Sequence, residues 1–396
     1  MGLRDSIAQG ALRRVHVLLV ETPGWAEVRM AVEGELRLRG WKAATSPADA
    51  DILVVCGAPG HELASVCARV WSQMPGPRSR VTVDVTRDVS TALDSAADEL
   101  GDDDAQRRDA RARPTSMPQG LDEHSSVDHA GMDHPGMPGM DHSGMDHSDM
   151  PGMDHSGMAT HDHTTMSGPS GIPLASGAPD RDGLEMDVLH VPLGPVLPHW
   201  HAGLVVDCVL HGDVIGQAEA KVLPAAGVPV GLPPDGSAGG EQRRVVVRNC
   251  DQAARVLALA GWPSAATRAQ RIRDAALVGA ALADLGAQLE SLVRTVGRSR
   301  LLRWTLRGIP AAIGAVGSGE PVTVRERMLD LLREAAQSAG GASERHAASD
   351  VASQQELLRA LPALIEGTDV ATARLIIAAA SLDTASLAIS GAMRHE

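Results

Sequence analysis

Between Met117 and Met166 the chain carries nine Met and eight His set among Gly, Ser, Pro and Asp, with almost no Leu, Ile or Val. A segment so poor in large aliphatic side chains cannot bury enough apolar surface to offset the entropy lost on ordering, and is expected to be disordered. It therefore divides the 396 residues into separate folding regions, and a chain of this length leads to an expectation of two or three domains in any case. The expected organisation is an α/β domain over 1–87, a linker over 88–180 and a second folded domain over 181–396. The linker is acidic and Ala-rich before it becomes Met/His-rich. The second domain divides into a β part, 184–250, and a helical part, 262–396.

The pattern on either side of the tract fixes the fold class. VHVLLV (15–20), DILVVCG (51–57) and RVTVDV (80–85) are short, nearly continuous apolar runs. They alternate with helical patterns over 26–39 and from Pro59 to about Gln73, which predicts a small parallel sheet. After the tract, LEMDVLHVPLG, LVVDCVLHGDVIGQAEA and RRVVVRN read as strands, the second as a hairpin turning at His211-Gly212-Asp213. From Trp262 onward the pattern is helical. Leu285, Leu289, Leu292 and Val296 mark one buried face, and further helices are expected at 322–338, 353–366 and 369–389. The expected fold is an α/β module, a disordered linker, and an α+β module of β-hairpins followed by a helical bundle.

Composition removes several functions. A net charge of −14 argues against a nucleic-acid partner, which requires clustered Lys and Arg. The chain has no Phe and no Tyr, so its cores are aliphatic and no tyrosine can donate a proton. Four scattered Cys (56, 67, 208 and 250) make no disulfide framework and fit a reducing compartment. They read as small buried residues. VHVLLV is too short for a signal sequence or a membrane span, and LIIAAASLDTASLAI reads as a buried helix interrupted by Asp383. The expected location is the cytoplasm, with no membrane span. GAPGHE (57–62) lacks the Lys-Ser/Thr of a phosphate loop and reads as a strand-to-helix turn. Arg-rich RSRLLRWTLR (298–307) reads as a solvated helix edge packed against an acidic neighbour, or as an inter-subunit contact.

The tract itself carries metal chemistry. Met-Asp-His recurs at Met132–His134, Met140–His142, Met145–His147 and Met153–His155, and His161 and His163 follow. Thioether with imidazole suits Cu(I), and imidazole with carboxylate suits Cu(II), Ni(II) or Zn(II). Each repeat supplies two or three donors in one short segment, so two repeats could complete a copper or nickel site. A repeat-expanded linker with incidental affinity is the competing reading.

Two further stretches resemble one family. SPADADILVVCGAPGHELASVCARVWSQMPGPRSRV (46–81) resembles the B-type subunit of NADH-quinone oxidoreductase, the small-subunit module shared with nickel-iron hydrogenases. GPVLPHWHAGLVVDCVLHGDVI (194–215), with Gly-Pro, a second Pro three residues on, His and a hairpin Gly, resembles the start of the D-type subunit of the same enzyme, which is the hydrogenase large-subunit module. The similarity spans about a quarter of the chain. It implies an oxidoreductase ancestry, an iron–sulfur cluster in the first module, and a quinone held by the hairpin histidine, which is His201 here.

The departures matter as much. Alignment on AEVRMA (26–31) places Gly24 and Trp25 where the family has its cysteine pair, and no Cys lies between residues 68 and 207. A four-iron cluster needs four ligands, normally thiolates. The tyrosine that completes the quinone site cannot exist here, and the Cys-x-x-Cys pairs of a nickel-iron centre are absent. His199 and His201 accordingly also read as residues flanking Trp200 on a solvated turn, and His190 and His211 as surface residues near strand ends. Three functions follow. The first is a cofactor-depleted accessory or structural component of a membrane-associated redox complex of this type, at the inner face of the cell membrane, without independent enzymatic activity. The second is an active quinone-linked oxidoreductase component using His201. The third is a copper- or nickel-binding protein acting through the repeats.

Overall fold

The computed structural model describes residues 14–113, 176–179, 185–227, 239–311, 322–341 and 351–392. The tract residues Met132, His134, Met140, His142, Met145, His147, Met153, His155, His161 and His163 lie outside them.

The first apolar runs become four parallel strands: β1 (His16–Glu21), β2 (Lys42–Ala43), β3 (Ile52–Cys56) and β4 (Ser79–Val83), in the order β2-β1-β3-β4. β3 is wholly buried because both of its faces are covered, which is why it reads as a continuous apolar run rather than an alternation. Ile52, Val54 and Cys56 face α1 (Ala26–Arg39) and α3 (Val89–Gly101). Leu53 and Val55 face α2 (His61–Gln73) on the other side, where Val205 and Leu223 complete the layer. The two cores are thus separated by the sheet.

The first module continues beyond its expected boundary at residue 87. Val89, Leu93 and Ala96 recur at the spacing of one helical face and are buried against the sheet. Few large apolar residues in an acidic surround concealed that helix. α4 (Asp103–Ala112) is held by a buried cation: Arg78 donates to both oxygens of Asp109 at 3.0 and 2.9 Å and stacks 4.0 Å over Trp71.

Residues 114–189 form a separate unit, in which β5 (Ser176–Pro179) pairs antiparallel with the first part of β6 (Glu185–Leu193). In the main unit, β7 (Leu204–His211) and β8 (Val214–Val222) form the expected hairpin. Its two-residue connection turns at Gly212, whose φ of +65° suits a residue without Cβ.

RRVVVRN does not form a strand. It lies inside α5 (Gly240–Leu259), so the β part of the second module ends well before residue 250. Val245–Val247 favour strands intrinsically, but tertiary burial overrides that preference. Here α5 is buried against α6 (Pro263–Leu277), α9 (Val324–Ala339) and α11 (Val370–Ala379). α7 (Leu282–Arg298) buries Leu285, Leu289, Leu292 and Val296 as expected, and the single turn α8 (Arg300–Thr305) follows it. α10 (Val351–Ile365) completes the bundle before α11.

The helix expected over 369–389 is two, α11 and α12 (Thr384–Ala392). The break is stabilised from α5 and α10. The Gln252 amide donates to the carbonyls of Ala379 and Ala380, both at 2.9 Å, and the Gln354 side chain accepts from Asp383 N at 2.8 Å. No helix among the described residues is long and apolar enough to cross a membrane.

Candidate functional site

The apolar stripe of α1 runs through Trp25, Val28, Val32 and Leu36, and Arg29 is buried within it. A cation placed there must find anions, because an unpaired buried charge is strongly unfavourable. Arg29 finds three. Nε donates to Glu21 at 2.6 Å, Nη1 to Glu33 at 2.5 Å and Nη2 to Asp251 of α5 at 2.7 Å. Asp251 also accepts from Arg273 of α6 at 2.5 Å and lies 3.0 Å from Arg255. Arg273, fully buried, reaches Glu33 at 2.8 Å as an ion pair and donates to Asp274 at 2.9 and 3.0 Å. Arg37 closes the margin on Asp274 and on Gln270, the latter at 3.2 Å.

Burial alone would push these carboxyls up. It is outweighed at Asp251, where Arg29, Arg255 and Arg273 hold the carboxyl far below the usual range, and at Glu33, which Arg29 and Arg273 lower. Arg29 and Arg273 are raised in turn, again against burial, by the carboxylates around them. Arg29, Glu33, Asp251 and Arg273 are thereby held in their charged forms, and the cluster is an ionic joint between the first module and the bundle.

Two cavities flank the joint. One, of about 190 Å³, lies among Leu18, Thr45, Pro198, His199 and Gln270. The other, of about 590 Å³, is bounded by Glu27, His201, Arg244, Arg327, Glu334 and Asp383. Glu21, Asp251 and Arg255 line both. Glu27 is the anomalous group in the larger cavity. One of its carboxyl oxygens is buried without a hydrogen-bond partner, and burial raises its pKa against the opposing pull of Arg244.

His201 borders this larger cavity, but not on a solvated turn. It is 6% exposed, and its Nε2 lies 2.8 Å from the Ile377 carbonyl. A ring nitrogen facing a carbonyl must carry the hydrogen, so Nε2–H donates to α11. Burial first, then the Arg255 cation, lowers the imidazole to about 4, against the favouring carbonyls of Ile377 and Ala380. At neutral pH His201 is uncharged and ties the segment before β7 to the bundle. His199 is also lowered by burial and takes a φ of +61°. Its neighbour Trp200 is buried, and the indole donates to the Leu204 carbonyl at 2.8 Å. His190 is exposed and His211 half-buried.

The donor set does not fit an iron–sulfur cluster. All four cysteines are free and buried. Cys56 and Cys67 lie in cores on opposite faces of the parallel sheet, so they cannot share one centre. Burial raises all four thiols, Cys208 to about 11 and Cys250 to about 12, whereas a metal ligand must be a thiolate. Trp25, aligned with the family's cysteine pair, packs its indole where a side chain on Gly57 would otherwise extend: a Cβ there would come within 2.3 Å of the ring. Among the described residues no group of three or more His, Cys, Asp or Glu is placed to hold a metal ion.

Sequence reasoning did not find the ionic joint. Its bonded partners are separated by as many as 237 positions. The signal was local: Arg29 and Arg273 each stand at a buried position of an otherwise apolar helical face. Comparison of the chain with family models, with curated proteins and with solved structures returns no match.

Proposed function

We propose that this chain is a structural component of a redox complex of the NADH-quinone oxidoreductase or nickel-iron hydrogenase type, built as two joined modules without ligands for the metal cluster. The observation that carries this reading is the buried joint itself. Arg29, Arg255 and Arg273 converge on Asp251, so the α/β module and the helical bundle act as one body. Such a body suits a scaffold better than a carrier of electrons, because the thiols are lone, buried and protonated.

The test is purification of the tagged full chain from native membranes under gentle detergent. Migration of a metal-free protein with subunits of a redox complex supports the proposal. Migration alone, as a metal-free monomer, contradicts it.

The position of His201 favours a second reading, in which the larger cavity takes a quinone. The histidine borders that cavity, yet its Nε2–H is already committed to Ile377. Quinone binding that perturbs the His201 imidazole resonance would support this reading, and an unchanged resonance at saturating quinone would remove it.

A further inference from the structure

We infer that the single turn α8, at the end of α7, is a docking tip for an anionic lipid surface. Leu302 and Leu306, four residues apart, are buried and anchor it. Leu301 and Trp304, three residues apart, point the other way and are 72% and 74% exposed. Trp304 is the one exposed tryptophan among the described residues. Arg298, Arg300, Arg303 and Arg307 surround this pair, all exposed, and none makes an ion pair among the described residues. A chain with a net charge of −14 thus gathers four exposed cations around its most exposed aromatic side chain.

The chemistry fits a bilayer interface. Tryptophan rests at the headgroup level, and arginine lays its stem along apolar surface while its guanidinium meets phosphate. Each basic residue beside an anionic surface strengthens partitioning roughly fivefold. Acidic groups more than about 8–10 Å from the tip do little to cancel this, since charges at that separation are screened at physiological salt. Size argues against a protein partner. A specific interface needs about 800 Å² on each side, far more than one turn with two apolar side chains provides. A lipid surface needs no matching relief. The inference stands independently of the redox-complex reading.

The test is sedimentation of the full chain with phosphatidylcholine vesicles, with and without phosphatidylglycerol. Binding is expected only with phosphatidylglycerol, weakening as salt rises. R300E with R303E should lower it at least about tenfold, and W304A should lower it while leaving the thermal midpoint unchanged, since these side chains are exposed. Equal binding by the charge-reversed and parent chains would overturn the proposal. So would absence of binding at low salt, or selective capture of poly-glutamate with no vesicle binding, which would assign the tip to an acidic protein. Vesicle binding without co-migrating subunits would leave the lipid tip intact and remove the redox-complex reading.

Discussion

Replacing Asp251 by alanine takes the shared anion out of the ionic joint. The parent cluster is balanced: Arg29, Arg37, Arg255 and Arg273 face Glu21, Glu33, Asp251 and Asp274, four charges of each sign. The variant leaves one buried positive charge uncompensated. The lost contacts to Arg29, Arg273 and Arg255 at 2.7, 2.5 and 3.0 Å are worth roughly 1.5–3 kcal/mol each when a charged group is involved, an upper bound of about 5–9 kcal/mol. Removing one partner of a buried ion pair typically costs about 3–5 kcal/mol, because the remaining charge stays desolvated. The expected loss is therefore about 3–5 kcal/mol, a large part of a total stability on the order of 5–15 kcal/mol. Urea unfolding followed by far-UV circular dichroism reads this directly. D251L combined with R273M restores the balance, three charges against three, and should recover part of the loss. A cost below about 1 kcal/mol for D251A, or a double variant less stable than D251A, would refute the assignment of this cluster as the joint.

Acid should weaken the fold through His201. Its folded pKa, about 4, lies below the ordinary 6.5, so between these values the unfolded chain binds the extra proton. Stability is then full above pH 6.5 and falls towards pH 4, by up to about 3 kcal/mol, and H201Q should flatten that slope in pH-dependent urea titrations. Glu27 acts in the opposite sense, since a raised folded pKa means that stability is lost as pH rises through it. E27Q, which removes the ionisable carboxyl, should raise the thermal midpoint at neutral pH, and a lower midpoint would count against this. R78A should cost roughly 2–3 kcal/mol and expose α4 to limited proteolysis. The Met-Asp-His repeats should bind Cu(I), with affinity measured by competition against a chromophoric chelator and lost on deletion of residues 130–166. Unchanged affinity after that deletion would end the copper reading.

The folded modules were legible because their segments are locally consistent. Val17, Leu53 and Val55 lie in short apolar runs between turn signals, α1 spans 26–39 as its periodicity predicts, and Gly212 marks the hairpin turn. The errors arose where tertiary packing decides. Val245–Val247 look like strand residues but are packed on all sides within a helix. The break between α11 and α12 depends on Gln252 and Gln354, more than 100 and nearly 30 residues distant respectively from the groups they bond. His201 was expected on a solvated turn beside Trp200, and nothing local reports that α11 covers it. The joint was hidden for the same reason. Each of its charges looks like an ordinary surface residue until its buried position on a helix face is noticed.

Iron and acid-labile sulfide, quantified in the full chain after anaerobic purification, test the account at its centre. A colourless protein without iron is expected, since Cys56 and Cys67 are held on opposite faces of one sheet. Stoichiometric iron, with the broad visible absorbance of a cluster, would contradict it.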